Sequence, residues 1–536
     1  MINKNLNDGN SIEDSENEKF VTRLSQKLQN YPILLQLLSL IGLIDYKAEK
    51  YGTPVKKLNS EKEEALKNGD MDRVNDIAET LRNEFKINFS EQATIFILYA
   101  MGVFKSSRTE IGYLNGRFHL YNGAYWESVD SKIMEEALCA MSIKSGMKYY
   151  TVRQPKNKKL LMDTLASEAT IPQVQHDLIK INLKNGTYVI NPKERTLGKL
   201  EKHNPDDGFT YQLGFKYDPK AKAPKFEAFL KRILPDQNLR HILMEFIAYS
   251  LTDLNYEKTL FAYGSGSNGK STVINIIYGL LGKQNISSYS APKLTDNSGY
   301  YRSQICEKLL NCCTEFGSGN VDFELLKKMI SNEVVDARNP YKEAFEFQMK
   351  TRLIFSMNKL PYTEAVEAMR RRILLLPFEE TISSSEQKRD LARDICATEL
   401  PGVFNIVLDA LHRLLEQGCF TESKIVEKAV DSYMQDNNNV AIFMDECFYV
   451  KTEKKETSRN ELYQAYKIFC NENGYNTCAS NKFGTRLREL GYKVERGVKG
   501  YYYVNCRVEY PERKDDTTSL TRISTIDEIM GNLSKN

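Results

Sequence analysis

Residues 259–282 read TLFAYGSGSNGKSTVINIIYGLLG. A short apolar run, Leu260 to Tyr263, feeds a glycine-rich turn, and a helical pattern leaves it. Gly264-Ser265-Gly266-Ser267-Asn268-Gly269-Lys270-Ser271 fits G-x-x-x-x-G-K-[ST]. The chemistry needs these residue types. Glycines let backbone N–H groups close around phosphates, and the helix N-terminus adds the positive end of a dipole. Val273, Ile276, Ile277 and Leu280 fall on one face of the helix, and Gly282 stops it. The stretch from Gly264 to Thr272 is therefore expected to bind the phosphates of a nucleotide, which is ATP on the reading that the later motifs support. Lys270 would bridge the β- and γ-phosphates, and the Ser271 hydroxyl would ligate Mg²⁺.

Such a loop does not separate a kinase from a GTPase or a motor, so the residues beyond it must. Strand and helix patterns alternate from Leu260 to Phe378, which predicts a parallel sheet with crossover helices. KLLNCCTEF (308–316) is an apolar strand with Glu315 at its end, where a carboxylate can polarise an attacking water. RLIFSMNKLP (352–361) is a second such strand, closed by Asn358, whose amide could hold that water. AMRRRILLLPF (368–378) sets Arg370-Arg371-Arg372 before a third. Adjacent guanidinium groups rarely bury without anionic partners, and an arginine finger reaching a neighbouring ATP would account for one of them.

The chain has 536 residues, enough for several domains, and 41% apolar with 27% charged residues fits a globular protein. Its net charge is only +3, so contact with nucleic acid must come from local patches. The longest apolar stretch, Ile33 to Ile44, is interrupted by Gln36 and Ser39 and is too short for a bilayer. The polar, acidic N-terminus does not read as a targeting peptide. Ten cysteines without a C-x-x-C pair suggest reduced thiols and a cytoplasmic setting, and no local metal-ligand motif is present.

Five regions are expected. Residues 1–105 read as a mostly helical region with a disordered leader. Within it KLNSEKEEALKNGDMDRVNDIAETLRNEF (57–85) has the spacing of a solvated amphipathic helix. Residues 106–225 read as a mixed α/β domain with Asn-Gly hairpin signals at 115–116, 122–123 and 185–186. Residues 226–435 hold the ATPase, residues 436–510 a DNA-binding module, and residues 511–536 a polar tail. Residues 451–507 contain 12 Lys/Arg against 6 Asp/Glu, a local excess of positive charge. Ser458-x-x-Glu461 is a capping box, and Ser480 is placed to cap a second helix carrying Lys482, Arg486 and Arg488 on its polar side. A hairpin with Arg496 and Lys499 near its turn follows. Helix–turn–helix plus a basic hairpin predicts a winged helix.

The order of motifs resembles a superfamily 3 helicase of the AAA+ class. More closely, it resembles the phage and plasmid primase–helicase family that includes the poxvirus primase–helicase. NGTYVINPKERTLGKLEKHNPDDGFTYQLGFKYDPKAKAPKFEAFL (185–230), LLKKMISNEVVDARNPYKEAFEFQMKTRLIFSMN (325–358) and HRLLEQGCF (412–420) extend the likeness over roughly residues 110–508. The resemblance implies an AAA+ parallel-sheet core with a helical bundle. Helical and mixed α/β domains would precede it and a winged helix would follow. By the same likeness Lys270 and Ser271 are the Walker A pair and Glu315 is the Walker B acid, sharing Mg²⁺ with Ser271. Asn358 is sensor 1, and Arg372, ahead of Arg371, is the finger. Thr314 stands where many relatives carry a second acid, which leaves the metal mainly to Ser271 and the phosphates. The stretch ARNPYKEAFEF (337–347) matches a hairpin that points into the ring channel. Arg338, Tyr341 and Lys342 at its tip suit a single strand, since charge holds phosphate and a ring can stack.

The activity implied is ATP-dependent unwinding of single-stranded or forked DNA by a hexameric ring, in replication of a phage, plasmid or virus. The alternative is an origin-binding initiator that melts DNA without travelling. In residues 1–225 only Asp70-Met71-Asp72 has the D-x-D spacing of a primer-synthesising site, and its charged helical context argues against that use. A primase acting in trans is the expectation.

Overall fold

The computed structural model describes residues 20, 22–107, 109–171, 177–193, 198–317, 319–340, 342–358, 369–436, 439–446, 449–450, 455–473, 475, 477–497, 500–504 and 507–508. The chain is mixed α/β, and about half of it is helical. The charged stretch 57–85 is two helices rather than one, Thr53–Lys67 and Met71–Asn83. Gly69 takes φ 74 between them, and the Asp70 carboxylate accepts the Arg73 N–H at 3.0 Å. Asp70 is thus an N-cap, which accounts for the D-x-D spacing structurally.

Strands β1 (Ile111–Leu114), β2 (Arg117–Tyr121) and β3 (Trp126–Val129) form an antiparallel sheet. The β1–β2 turn is Asn115-Gly116, both with positive φ (51 and 76), as a two-residue type I′ hairpin demands. Strands β4 (Ile179–Leu183), β5 (Gly186–Ile190) and β6 (Lys199–Glu201) form a second antiparallel sheet. These two sheets belong to different cores. Leu24 to Phe104 packs with Ile111 to Ala169 in one apolar cluster, whereas Ile179 to Phe215 packs with residues 223–433.

That larger cluster contains a five-stranded sheet. Its members are β7 (Thr259–Tyr263), β8 (Ile286–Ser287), β9 (Leu310–Cys313), β12 (Arg352–Met357) and β13 (Ile373–Pro377). The order is β13-β7-β12-β9-β8, every pair parallel. β9, β12 and β13 are buried at every position, as expected for strands covered on both faces. Helices Gln237–Tyr249, Lys270–Leu281 and Leu400–Gln417 contribute to the same core. Each fully buried Phe or Leu there adds about 1.5–3 kcal/mol. Between β9 and β12 the chain makes a separate antiparallel hairpin, β10 (Val334–Arg338) with β11 (Ala344–Gln348).

The C-terminal unit has its own apolar cluster, from Val440 to Tyr503. It joins helices Asn439–Glu446, Arg459–Glu472 and Ser480–Glu489 to a sheet of β15 (Lys455–Ser458), β17 (Gly500–Val504) and β16 (Lys493–Gly497). β14 (Tyr449–Val450) pairs with β18 (Arg507–Val508). The capping box at Ser458 and Glu461 is formed. Ser480 does not cap: it is the first helical residue, preceded by Ala479 in extended conformation, with no side-chain cap bond.

Candidate nucleotide site and nucleic-acid surfaces

The parallel register brings the strand ends to one edge. β7 leads into the glycine-rich loop, whose path needs positive φ at Gly266 (109), Ser267 (49) and Gly269 (81). Gly264 is required for space instead. A Cβ there would lie 2.3 Å from the Phe378 carbonyl oxygen and 2.2 Å from Asn268 Nδ2. The loop is stitched to its surroundings by backbone bonds: Gly264 N–H to the Met357 carbonyl (3.3 Å) and Ile382 N–H to the Ser267 carbonyl (2.8 Å). Asn268 is buried and donates through Nδ2 to the Phe378 carbonyl at 2.9 Å.

Lys270 opens the helix Lys270–Leu281 and is 7% exposed. Its ammonium donates to the Gly264 carbonyl (2.7 Å) and to Asn268 Oδ1 (3.0 Å). Burial holds its pKa below the ordinary lysine value. Ser265, Ser267 and Ser271 are exposed, and Thr272 is half-buried.

Glu315 lies two residues past the end of β9, and Asn358 directly follows β12. Both are exposed. Because β12 pairs with β7 on one side and β9 on the other, Asn358 comes between the loop and Glu315. The three reach one edge across a span of nearly 90 residues because parallel strands end together. Among the described residues no cluster of three His, Cys, Asp or Glu could hold a metal ion. A Mg²⁺ there would have to take ligands from bound phosphates, its usual habit.

Two supports leave no local signal along the chain. Buried Asn311 on β9 accepts from Ser287 Oγ (2.9 Å) and the Tyr289 N–H (2.8 Å), and donates to the Tyr289 carbonyl (2.8 Å), tying β8 and the loop after it to β9. Arg232 pairs with Glu380 (3.0 Å) and Glu386 (3.3 Å), fastening the segment that meets Ser267 to the helix Pro224–Ile233.

The arginines lie at the opposite edge. Ile373 pairs with Thr259, at the start of both strands, so Arg370 to Arg372 cannot reach the loop of their own chain. Arg372 is 8% exposed, donates through Nε to Ser331 Oγ at 3.0 Å and pairs with Glu257 at 3.2 Å. Arg371 also pairs with Glu257 but is well exposed, and Arg370 pairs with Asp431. All three line a groove of about 850 Å³ with Lys258, Thr421 and Ser423. Arg372 is therefore the most enclosed of the three.

Of the expected DNA contacts, Arg338 and Lys342 are exposed beside the β10–β11 tip, while Tyr341 lies outside the described residues. In the C-terminal unit Arg488 and Arg496 are exposed and Lys482 is half-buried. Arg486 does not lie on the polar side: it is 7% exposed and donates to Asn439 Oδ1 at 3.0 Å, because its face of the helix packs on Asn439–Glu446. Lys499 lies outside the described residues.

Three family models match the chain: "D5 N terminal like" over residues 103–235, "Family of unknown function (DUF5906)" over 262–372, and "Poxvirus D5 protein-like" over 435–518. The first and third of these matches, with the relative that follows, support a likeness to the phage and viral primase–helicase family. It is 24% identical over 210 residues to the Acanthamoeba polyphaga mimivirus protein named "Putative helicase L207/L206". That match takes in 35% of this chain and 21% of the relative, so the chain spans about a fifth of the relative's length. Solved structures of the NrS-1 C terminal region align with 10–11% identity and TM-scores of 0.38–0.40. In the first of them the alignment covers 76% of this chain and 97% of that one. No described helix is long and apolar enough to cross a membrane.

Proposed function

We propose that this chain is an ATP-dependent DNA helicase of the superfamily 3 AAA+ type, working as a ring in replication of a phage, plasmid or virus. The observation that carries this reading is the shared edge of the parallel sheet. The Lys270 loop, Asn358 and Glu315 stand there in that order, while the arginines stand at the opposite edge. A site with its finger on the wrong side of its own sheet becomes complete when a second copy supplies the arginine. In the proposed reaction the loop's N–H groups and Lys270 bind the β- and γ-phosphates. Ser271 and Glu315 would hold Mg²⁺ together with those phosphates, and the chemistry it would supply when bound is neutralisation of phosphate charge. Glu315 polarises the water, Asn358 orients it, and Arg372 or Arg371 stabilises the departing charge from the neighbouring subunit. Arg371 is the more accessible of the two, and Arg372 would first have to leave Glu257.

The β10–β11 hairpin would grip one strand through Arg338, Tyr341 and Lys342. The C-terminal unit, read as a winged helix, would hold duplex through Lys482, Arg488, Arg496 and Lys499. A primase in trans would supply primers.

Strand displacement on a forked duplex, with ATPase measured with and without single-stranded DNA, tests this. Displacement that disappears in Lys270→Ala is expected. DNA-stimulated hydrolysis without displacement would favour an origin-melting initiator. Mixing Lys270→Ala with Arg371→Ala or Arg372→Ala subunits should restore part of the ATPase for whichever arginine acts across the interface. No recovery with either would remove the shared site.

A further inference from the structure

The tip of the β10–β11 hairpin is not free. Asn339, at the turn, is 8% exposed. Its Nδ2 donates to the Asn115 carbonyl at 3.5 Å, and its Oδ1 accepts from the Arg117 guanidinium at 3.4 Å. Lys342 Nζ donates to the Gly116 carbonyl at 3.0 Å. The hairpin tip is therefore seated on the β1–β2 turn, more than 200 residues away in sequence. The seat is itself braced. Arg117 also donates to the Ser303 carbonyl at 3.1 Å, and Asn115 Nδ2 donates to Glu307 at 3.4 Å. Fully buried His119 meets the other Glu307 oxygen at 3.1 Å. Gly116 combines a positive φ with a close approach, since a Cβ there would stand 3.0 Å from Asn339 Nδ2.

We propose that this contact is an intrachain latch, in which the β1–β2 turn holds the hairpin tip against the N-terminal unit until a single strand takes its place. Lys342 gives one of its three N–H donors to the Gly116 carbonyl, and the turn that accepts it occupies the side from which a strand would reach the hairpin tip. The contacts are few: the two made by Asn339 are long, at 3.4 and 3.5 Å, and the one made by Lys342 is exposed to solvent. That suits a seat to be left rather than a permanent junction. A strand that binds only the released tip pays for release in apparent affinity, by the fraction of molecules already open. The inference rests on the reading of the hairpin as the strand grip.

The test uses the full chain and a labelled oligo(dT), with affinity read by fluorescence anisotropy. Arg117→Ala and Asn339→Ala each remove latch contacts and spare Lys342. Each should tighten binding by about three- to tenfold, as expected when a minor open state becomes the major one. The sign is diagnostic for Arg117→Ala, because deleting a cation otherwise weakens binding to a polyanion. Unchanged or weaker binding in both variants would overturn the latch. Lys342→Ala separates the two ideas. If it weakens binding while Arg117→Ala and Asn339→Ala leave it unchanged, the strand grip stands and the latch falls. If Lys342→Ala leaves binding unchanged in the Asn339→Ala background, where the latch is already weakened, the grip itself fails and takes the latch with it. Hydrogen exchange at residues 112–119 should rise when oligo(dT) is added to the parent chain. No change there would also count against release.

Discussion

Gly264→Ala probes the loop most directly. Gly264 does not take a positive φ, so the substitution adds volume without backbone strain. The added Cβ would stand 2.3 Å from the Phe378 carbonyl oxygen, well inside the 3.0 Å that such atoms keep. That oxygen cannot easily move. It already accepts from Asn268, and the Phe378 N–H is bonded to the Tyr263 carbonyl at 2.8 Å. The loop must shift instead. Overpacking of this kind costs about 1–3 kcal/mol. Separation of Asn268 from its carbonyl adds about 1 kcal/mol. If the nucleotide has to restore the parent loop at its own expense, affinity falls by a factor of about 30 to 1,000. Titration with a fluorescent ATP analogue measures the loss, and thermal unfolding shows whether the fold shares it. Ser265→Ala, at an exposed position of the same loop, keeps the backbone N–H in place and should leave the Tm unchanged. Affinity within twofold of the parent in Gly264→Ala, with unchanged Tm, would refute the claim that Gly264 is fixed by space.

Asn311→Ala leaves a buried hydroxyl, N–H and carbonyl without their partner, and should lower unfolding free energy by about 2–3 kcal/mol in urea denaturation. Glu245→Ala should cost about 3 kcal/mol or more, because Arg413 and Thr421 both direct donors at this fully buried carboxylate; an intact urea midpoint would contradict that. Burial alone would raise the pKa of Glu307. Hydrogen bonding and charge from His119, with Arg117 and Asn115, outweigh it and hold the group below its ordinary value of 4.5. A depressed carboxylate contributes stability above 4.5 that is lost as pH falls through the lowered folded value. Glu307→Gln should therefore flatten the acid limb of a stability–pH curve below 4.5, and an unchanged limb would exclude this contribution. The depressed Lys270 pKa means that its ammonium is lost at a lower pH than that of an ordinary lysine. ATP affinity should weaken on the alkaline side before exposed lysines titrate, and Lys270→Arg should remove that dependence.

Features that depend on local spacing can be read from the residues alone. The strand–loop–helix at 259–282 was legible because the helix start, its glycine stop and the apolar stripe all agree. The Asn-Gly turns at 115–116 and 185–186 and the Ser458 capping box were legible for the same reason: each is closed by residues a few positions apart. The split of 57–85 into two helices was missed because its charged periodicity continues across Gly69. Ser480 and Arg486 were misplaced because the helix start and the buried face follow packing against Asn439–Glu446.

What lies beside what is visible only in the folded chain. Changes of texture put boundaries near 105 and 225, yet Ile111 to Ala169 shares a core with the preceding helices, and Ile179 to Phe215 with the residues that follow. The placement of Asn358 between Lys270 and Glu315 follows from strand order, and strand order leaves no mark on the spacing of residues along a chain. The enclosure of Arg372 by Glu257 and Ser331, and the seating of Lys342 on Gly116, are contacts between distant segments. A residue type and its neighbours set local conformation. Which distant group answers a buried charge is settled only when the whole chain has closed around it.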